Sequence, residues 1–245
     1  MRMSIMIAAM LTAWLRLVWA SGCFGGSPDI TPRNGSPKFP SNGRVTIAGR
    51  SAAGVSWVGP DGRQIKFREQ RIGPGPSATR ILTNEAPLQP GIHTLQTRDP
   101  DGTQTFRVVP VADVQPPQLS GPLTLDAFNT TEPSSECPEN IFIRARFRGP
   151  HDDVTEIRDL TYRVWIQRGT QGGADAPDLV LSAESIVAGE VSFRFGKSGC
   201  GCIPPFELKA GARYEVQVQA VDAAGHGSKS TLSGEVTIPT ATIRR

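Results

Sequence analysis

The sequence predicts an all-β chain of two consecutive antiparallel β-sandwich domains behind an N-terminal export signal. Three observations predict it. Runs of strand length alternate apolar and polar residues, turn clusters rich in Gly, Pro and Asp separate them, and no stretch has the length and period of a core helix. The chain holds 26 glycines and 21 prolines in 245 residues with few aromatics, a balance that suits short strands joined by turns. That length suits two ordinary domains better than one large core.

Residues 1–22 read as a signal peptide. Arg2 supplies a positive start, Ile5 to Leu15 is apolar but short for a membrane span, and the small residues Ala20, Ser21 and Gly22 follow. The run Ala20-Ser21-Gly22-Cys23 resembles the lipobox of bacterial lipoproteins, although Ala20 stands where Leu is usual. The resemblance implies lipidation at Cys23, a tether over 23–29, and a protein held by several acyl chains, more than one being needed for stable anchoring. Phe24 follows where inner-membrane retention signals place Asp, which implies the outer membrane or the periplasmic space beside it. Cleavage after Ala20 by an ordinary signal peptidase is the alternative.

Charge excludes one class of partner. Lys and Arg number 26 against 23 Asp and Glu, and Arg2 and Arg16 lie in the segment expected to be removed, so the exported part is nearly neutral. It carries no basic stripe with interleaved aromatics, and no nucleic-acid partner is expected.

In the first domain, over 30–113, Arg44-Val45-Thr46-Ile47-Ala48 and Val55-Ser56-Trp57-Val58 alternate, and Gly59-Pro60-Asp61-Gly62 turns the chain into Gln64-Ile65-Lys66-Phe67. Ile92, Thr94 and Gln96 alternate with His93, Leu95 and Thr97, and Asp99-Pro100-Asp101-Gly102 leads into Thr105 to Val109. The pattern predicts a meander. Ile30-Thr31-Pro32-Arg33-Asn34-Gly35, Phe39 to Val45 and Pro87-Leu88-Gln89-Pro90-Gly91-Ile92-His93-Thr94-Leu95 resemble bacterial immunoglobulin-like domains of surface and secreted proteins. His93 and Thr94 stand where that family commonly has an aromatic.

Residues 114–133, with Pro116 and Pro117, read as a linker stiffened toward an extended form that keeps the domains spaced. The second domain spans 134–240 and a short tail covers 241–245. Ile141, Ile143, Ala145 and Phe147 share one strand face; Leu160, Tyr162, Val164 and Ile166 repeat this, as do Val191, Phe193 and Phe195. Leu208 to Asp222, Gly225, Ser228 and Ser230, then Gly234 to Ile238, resemble the last two strands of a fibronectin type III domain. By that resemblance Tyr214 is a tyrosine corner, its ring in a core with Leu208, Val216 and Val218 and its hydroxyl bonded to the corner backbone. Arg213, Glu215, Gln217 and Gln219 then face solvent.

Cys137 is expected to pair with Cys200 or Cys202 in an oxidising compartment; if Cys23 is lipidated, one thiol is left over. Metal or redox use of Cys200-Gly201-Cys202 is the weaker alternative, since no His lies at ligand spacing nearby. His151-Asp152-Asp153 is the one cluster of a base with carboxylates, yet the chain contains no nucleophile elbow, zinc-binding His-Glu-x-x-His or phosphate loop. No catalytic residue, metal ligand or cofactor is assigned. Calcium is the rival reading for the loop 149–156, and Asp99, Asp101 and Asp113 form a second oxygen-rich candidate; a solvated loop and an Asp-Gly turn account for both. Trp57 and Trp165 are expected in the core or in cross-strand pairs, and His93 and His226 as isolated side chains. The function expected is a non-enzymatic envelope protein, adhesive or scaffolding, that binds protein or glycan; the alternative is an accessory subunit or cryptic hydrolase.

Overall fold

The computed structural model describes residues 29–48, 54–72, 78–97, 103–131, 139–169, 177–198, 204–240 and 242–243. Its first domain is a sandwich of two four-stranded sheets. One has the order β1 (Asp29–Thr31), β3 (Arg44–Ala48), β6 (Thr79–Asn84), β5 (Phe67–Ile72). The other has the order β2 (Ser36–Phe39), β8 (Thr103–Val108), β7 (Gly91–Gln96), β4 (Ser56–Val58). The strand β2 runs parallel to β8, and the remaining pairs are antiparallel. This split is the immunoglobulin-like arrangement, in which the chain passes repeatedly from sheet to sheet.

The expected meander is therefore corrected. Gly59 to Gly62 does fold the chain back, with Ile65 N donating to Trp57 O at 2.8 Å and Gly59 N to Arg63 O at 2.8 Å. The strand that follows, however, joins β6 in the opposite sheet. Period-2 alternation marks which residues point inward; it says nothing about which of two facing sheets a strand joins. Inside, Ile30, Phe39, Val45, Ile47, Trp57, Leu82, Leu95 and Phe106 form the core.

The second domain pairs β13 (Ser185–Val187), β14 (Glu190–Ser198), β10 (Glu139–Arg148), β9 (Thr124–Thr131) and β17 (Thr242–Ile243) in one sheet. The facing sheet has the order β12 (Leu179–Ser182), β11 (Thr161–Arg168), β15 (Arg213–Val221), β16 (Leu232–Thr237). The inward residues of β10, β11, β14 and β15 are those the alternation marks: Ile143, Ala145, Phe147, Leu160, Tyr162, Val164, Val191, Phe193, Phe195, Val216 and Val218 are all buried. A buried large apolar side chain contributes roughly 1.5–3 kcal/mol relative to exposure, so this core is the main source of the domain's stability.

Two boundaries shift. The segment 114–133 is not all linker, because β9 lies within it and pairs along its length with β10. Leu125 and Ala127 pack on the core, and Asn129 Nδ2 donates to Pro239 O at 2.8 Å; the polar composition of Thr124–Thr131 hides this strand from a reading by apolar periodicity. Within the expected tail, β17 pairs in parallel with β9.

Nor does the linker hold the domains apart. Gln118 and His151 exchange two backbone hydrogen bonds, Ser230 Oγ donates to Leu119 O, and Leu119 is buried in the second core. Its prolines are stiff, but Gln118 and Leu119 are fastened to the second domain. The effect reaches β3 and β6: Val45, Thr46 and Ile47 are buried in succession, and so are Ile81 and Leu82. A strand buried on both sides has something on its outer face, and here the second domain covers it.

Candidate functional site at the domain junction

The junction is made by short polar side chains reaching backbone and carboxylate groups of the other domain. Thr31 Oγ1 meets Ser182 Oγ at 3.1 Å, and Thr79 Oγ1 donates to Val180 O at 3.1 Å. Asp159, 1 % exposed in the turn that precedes β11, accepts from Arg33 N at 2.8 Å and from Ser36 Oγ. Arg33 also donates through Nη2 to Ala183 O. Burial pushes the Asp159 carboxyl above its usual range, against the pull of the Ser36 and Arg33 hydrogen bonds. Between Arg44, Thr46, Asp159, Arg163 and Asp222 lies a cleft of about 20 Å³. That is room for about one water and far below the roughly 300 Å³ at which ligand pockets begin.

At one end of this junction, carboxylates from three segments converge. Asp113 leaves the first domain just after β8 and is 0 % exposed. Its backbone is held by Asn42, whose Oδ1 accepts from Asp113 N at 2.9 Å and whose Nδ2 donates to Asp113 O at 2.7 Å. Its Oδ2 accepts from Thr155 Oγ1 at 2.9 Å, and that hydroxyl in turn accepts from Ala223 N at 3.2 Å. Its Oδ1 has no hydrogen-bond partner among the described residues. Asp152, in the loop after β10, caps that loop by accepting from Val154 N at 3.0 Å and Thr155 N at 2.6 Å through Oδ1, while its buried Oδ2 is also without a partner among the described residues.

Oxygens of Asp113, Asp152 and Asp153 lie within 4.8 Å of one another, and a second trio of Asp113, Asp222 and His226 meets the same limit. Asp222 is already engaged: Oδ1 accepts from Gly225 N at 2.5 Å and His226 N at 2.8 Å, and Oδ2 faces His226 Nδ1 at 3.0 Å. The Asp113 carboxyl is pushed up to about 6, first by burial and then by Asp222, Asp152 and Asp153, against the Thr155 hydrogen bond. Asp152 is raised by burial for the same reason. The loop 149–156 is thus not simply solvated: Asp153 is exposed, but Asp152 is half-buried. The structure joins members of both oxygen-rich candidates seen in sequence, Asp113 from one and Asp152 and Asp153 from the other. Asp99 and Asp101 lie outside the described residues.

Asp222 escaped the sequence reading because Asp222 to Ser228 is accounted for as a turn motif. It does act as one, with Ser228 Oγ accepting from Ala220 N at 3.2 Å and donating to Ser230 O at 2.7 Å. Asp159 and Arg33 carried no sequence signal, since nothing local marks a residue whose partners lie in another domain.

Tyr214 is 3 % exposed, and its Oη accepts from Lys209 N at 3.0 Å. Leu208, Val216 and Val218 are buried around it, while Arg213 is exposed and Glu215, Gln217 and Gln219 alternate on the outer face. His93 holds the equivalent corner of the first domain. It is 0 % exposed, with Nε2 against Gln89 O at 2.8 Å, and Trp57 Nε1 donates to its Nδ1 at 3.2 Å. It is not an isolated histidine. Burial pushes its pKa down, against the Gln89 hydrogen bond. Trp57 is in the core, whereas Trp165 is half-buried opposite Gln217. Cys23, Cys137, Cys200 and Cys202 lie outside the described residues.

No protein-family model matches the chain, and no curated protein matches it. Among solved structures, the titin tandem immunoglobulin domains A164–A165 align at 12% identity over 89% of this chain and 98% of that one, with a TM-score of 0.22. The tandem immunoglobulin repeats of Dlar align at 11% identity over 89% and 99%, with a TM-score of 0.23. The BSP domain of a biofilm-associated protein aligns at 14% identity over 89% of this chain and 30% of that one, with a TM-score of 0.25. At these scores the fold rests on the strand order, which makes the chain all-β with two antiparallel sandwich domains, the first immunoglobulin-like.

Proposed function

We propose that this chain is a non-enzymatic cell-envelope protein, exported and held to the membrane by lipid on Cys23, whose two sandwiches act as one binding or scaffolding unit for protein or glycan. The observation that supports it is the junction. Hydrogen bonds of the buried Asp159 to Arg33 and Ser36 join the domains, and the cleft between them has room for a water and not for a substrate. A stiff pair of domains on a tether suits presentation of exposed loops and edge strands at a distance from the membrane. Mass spectrometry of the mature N-terminus together with membrane fractionation tests the anchor. An acylated Cys23 in the membrane fraction is expected, and a soluble chain beginning at Ser21 overturns it.

A further inference from the structure

We propose that Asp113, Asp152 and Asp153 form a hard-cation site, of the calcium class, that fastens the first domain to the second beside Asp222. The three come from both sides of the domain boundary: Asp113 is tied to the first domain through Asn42, and Asp152 and Asp153 sit in the loop after β10 of the second. Their ligand oxygens all fall within 4.8 Å of one another. An ion that takes oxygens at about 2.3 to 2.6 Å can touch atoms up to roughly twice that distance apart, so the spread fits calcium.

The second observation is a pair of buried oxygens without a donor among the described residues. Asp113 Oδ1 and Asp152 Oδ2 are buried without a hydrogen-bond partner among the described residues, and Asp113 is 0 % exposed. A buried carboxylate oxygen with nothing to accept from is costly, and buried charges are found paired or on metals. The charged groups that act most on Asp113 and Asp152 are acidic: Asp222 and Asp153 on both, and Asp152 on Asp113. The nearby basic side chains are engaged with Asp222 instead, His226 through its Nδ1 and Arg44 by charge. A bound divalent ion supplies the missing positive charge and partners both orphaned oxygens. Oxygen ligands alone select calcium or magnesium over zinc, and an irregular, partly exposed set of carboxylates suits calcium better than the octahedron magnesium demands.

The proposal uses neither the anchor nor a binding partner, so it can fail while the proposed function holds. The test is calcium titration of the exported full chain after chelator treatment, by calorimetry and thermal melting. Calcium is expected to bind one to one with Kd of about 10⁻⁴ to 10⁻³ M, the range of extracellular modules, and to raise Tm by several degrees at ten times Kd, with magnesium doing less. Asp113→Asn and Asp152→Asn remove a buried charge, so each is expected to melt no lower than the parent without calcium and to lose the calcium shift. Asp153 is exposed, so Asp153→Asn leaves the packing intact and weakens binding at least tenfold, which keeps the test decisive if a buried variant does not fold. Absence of both heat and Tm shift at 10 mM calcium (roughly ten times the weakest Kd of that range), or a shift retained in Asp153→Asn and Asp152→Asn, overturns the proposal.

Discussion

The guanidinium of Arg44, in the first domain, occupies the space that a β-carbon on Gly225 of the second domain would need. Gly225 also has a φ of +95° and donates its N–H to Asp222 Oδ1 at 2.5 Å, so two constraints meet at one residue. Any other side chain is strained there by the backbone and must also expel Arg44, whose own N–H donates to Ala223 O at 2.6 Å. Gly225→Ala is expected to destabilise the chain by about 1–3 kcal/mol, the scale of a strained backbone position. A urea melt measures this, and a change under about 0.5 kcal/mol, typical of surface substitutions, would mean that Arg44 moves aside freely.

Asp159 offers a second way to loosen the junction. Asp159→Ala leaves the buried Ser36 Oγ and the part-buried Arg33 N without their acceptor, at a cost of about 1–3 kcal/mol for an unsatisfied buried group. Because those donors belong to the first domain and the carboxylate to the second, the loss falls on the coupling between them. Calorimetry is expected to show one cooperative transition for the parent chain and two separated transitions for the variant.

The two buried tyrosines of the second domain give opposite expectations for the same substitution. Tyr214 Oη accepts a hydrogen bond from Lys209 N, so Tyr214→Phe is expected to cost about 1 kcal/mol. Tyr162 Oη is buried with no hydrogen-bond partner among the described residues, and burial raises its pKa. Tyr162→Phe is therefore expected to be neutral or stabilising. Tyr214→Ala is expected to cost about 3–5 kcal/mol by loss of ring burial, and Gln217→Ala on the outer face less than about 0.5 kcal/mol. Urea melts of the four variants rank them, and a Tyr162→Phe loss as large as that of Tyr214→Phe would contradict the assignment.

His93 makes the first domain sensitive to acid. Trp57 Nε1 donates to Nδ1, so the neutral ring carries its proton on Nε2 and gives it to Gln89 O. Burial lowers the folded-state pKa below the unfolded value of about 6.5, so between those two values the unfolded chain binds a proton that the folded chain refuses. His93 therefore lowers stability progressively as pH falls from about 6.5 toward its folded pKa. Asp113, raised to about 6, acts with the opposite sign, as do Asp159 and Asp152, which are also raised, so a comparison with His93→Phe isolates the effect. The variant is expected to be less stable at pH 7, because Trp57 loses its acceptor, yet to lose less stability between pH 7 and 5 than the parent. Parallel stability profiles for the two would rule the mechanism out.

Local alternation by itself determined the inward faces of β10, β11, β14 and β15, and with them Tyr214 and its neighbours. A strand's two faces are decided by the order of its own residues, whatever it pairs with. The turn from Asp222 to Ser228 was legible for the same reason, since its hydrogen bonds close within seven residues. Which sheet receives β5, why Thr46 is buried beside Val45 and Ile47, and why Asp113 meets Asp152 and Asp153 were not legible. Each depends on a contact between segments far apart in the chain, and side-chain periodicity holds no information about distant partners. Only the packing of one sandwich against the other put those carboxylates within reach of a single ion, because it closed the junction around Asp113 and left its Oδ1 without a donor among the described residues.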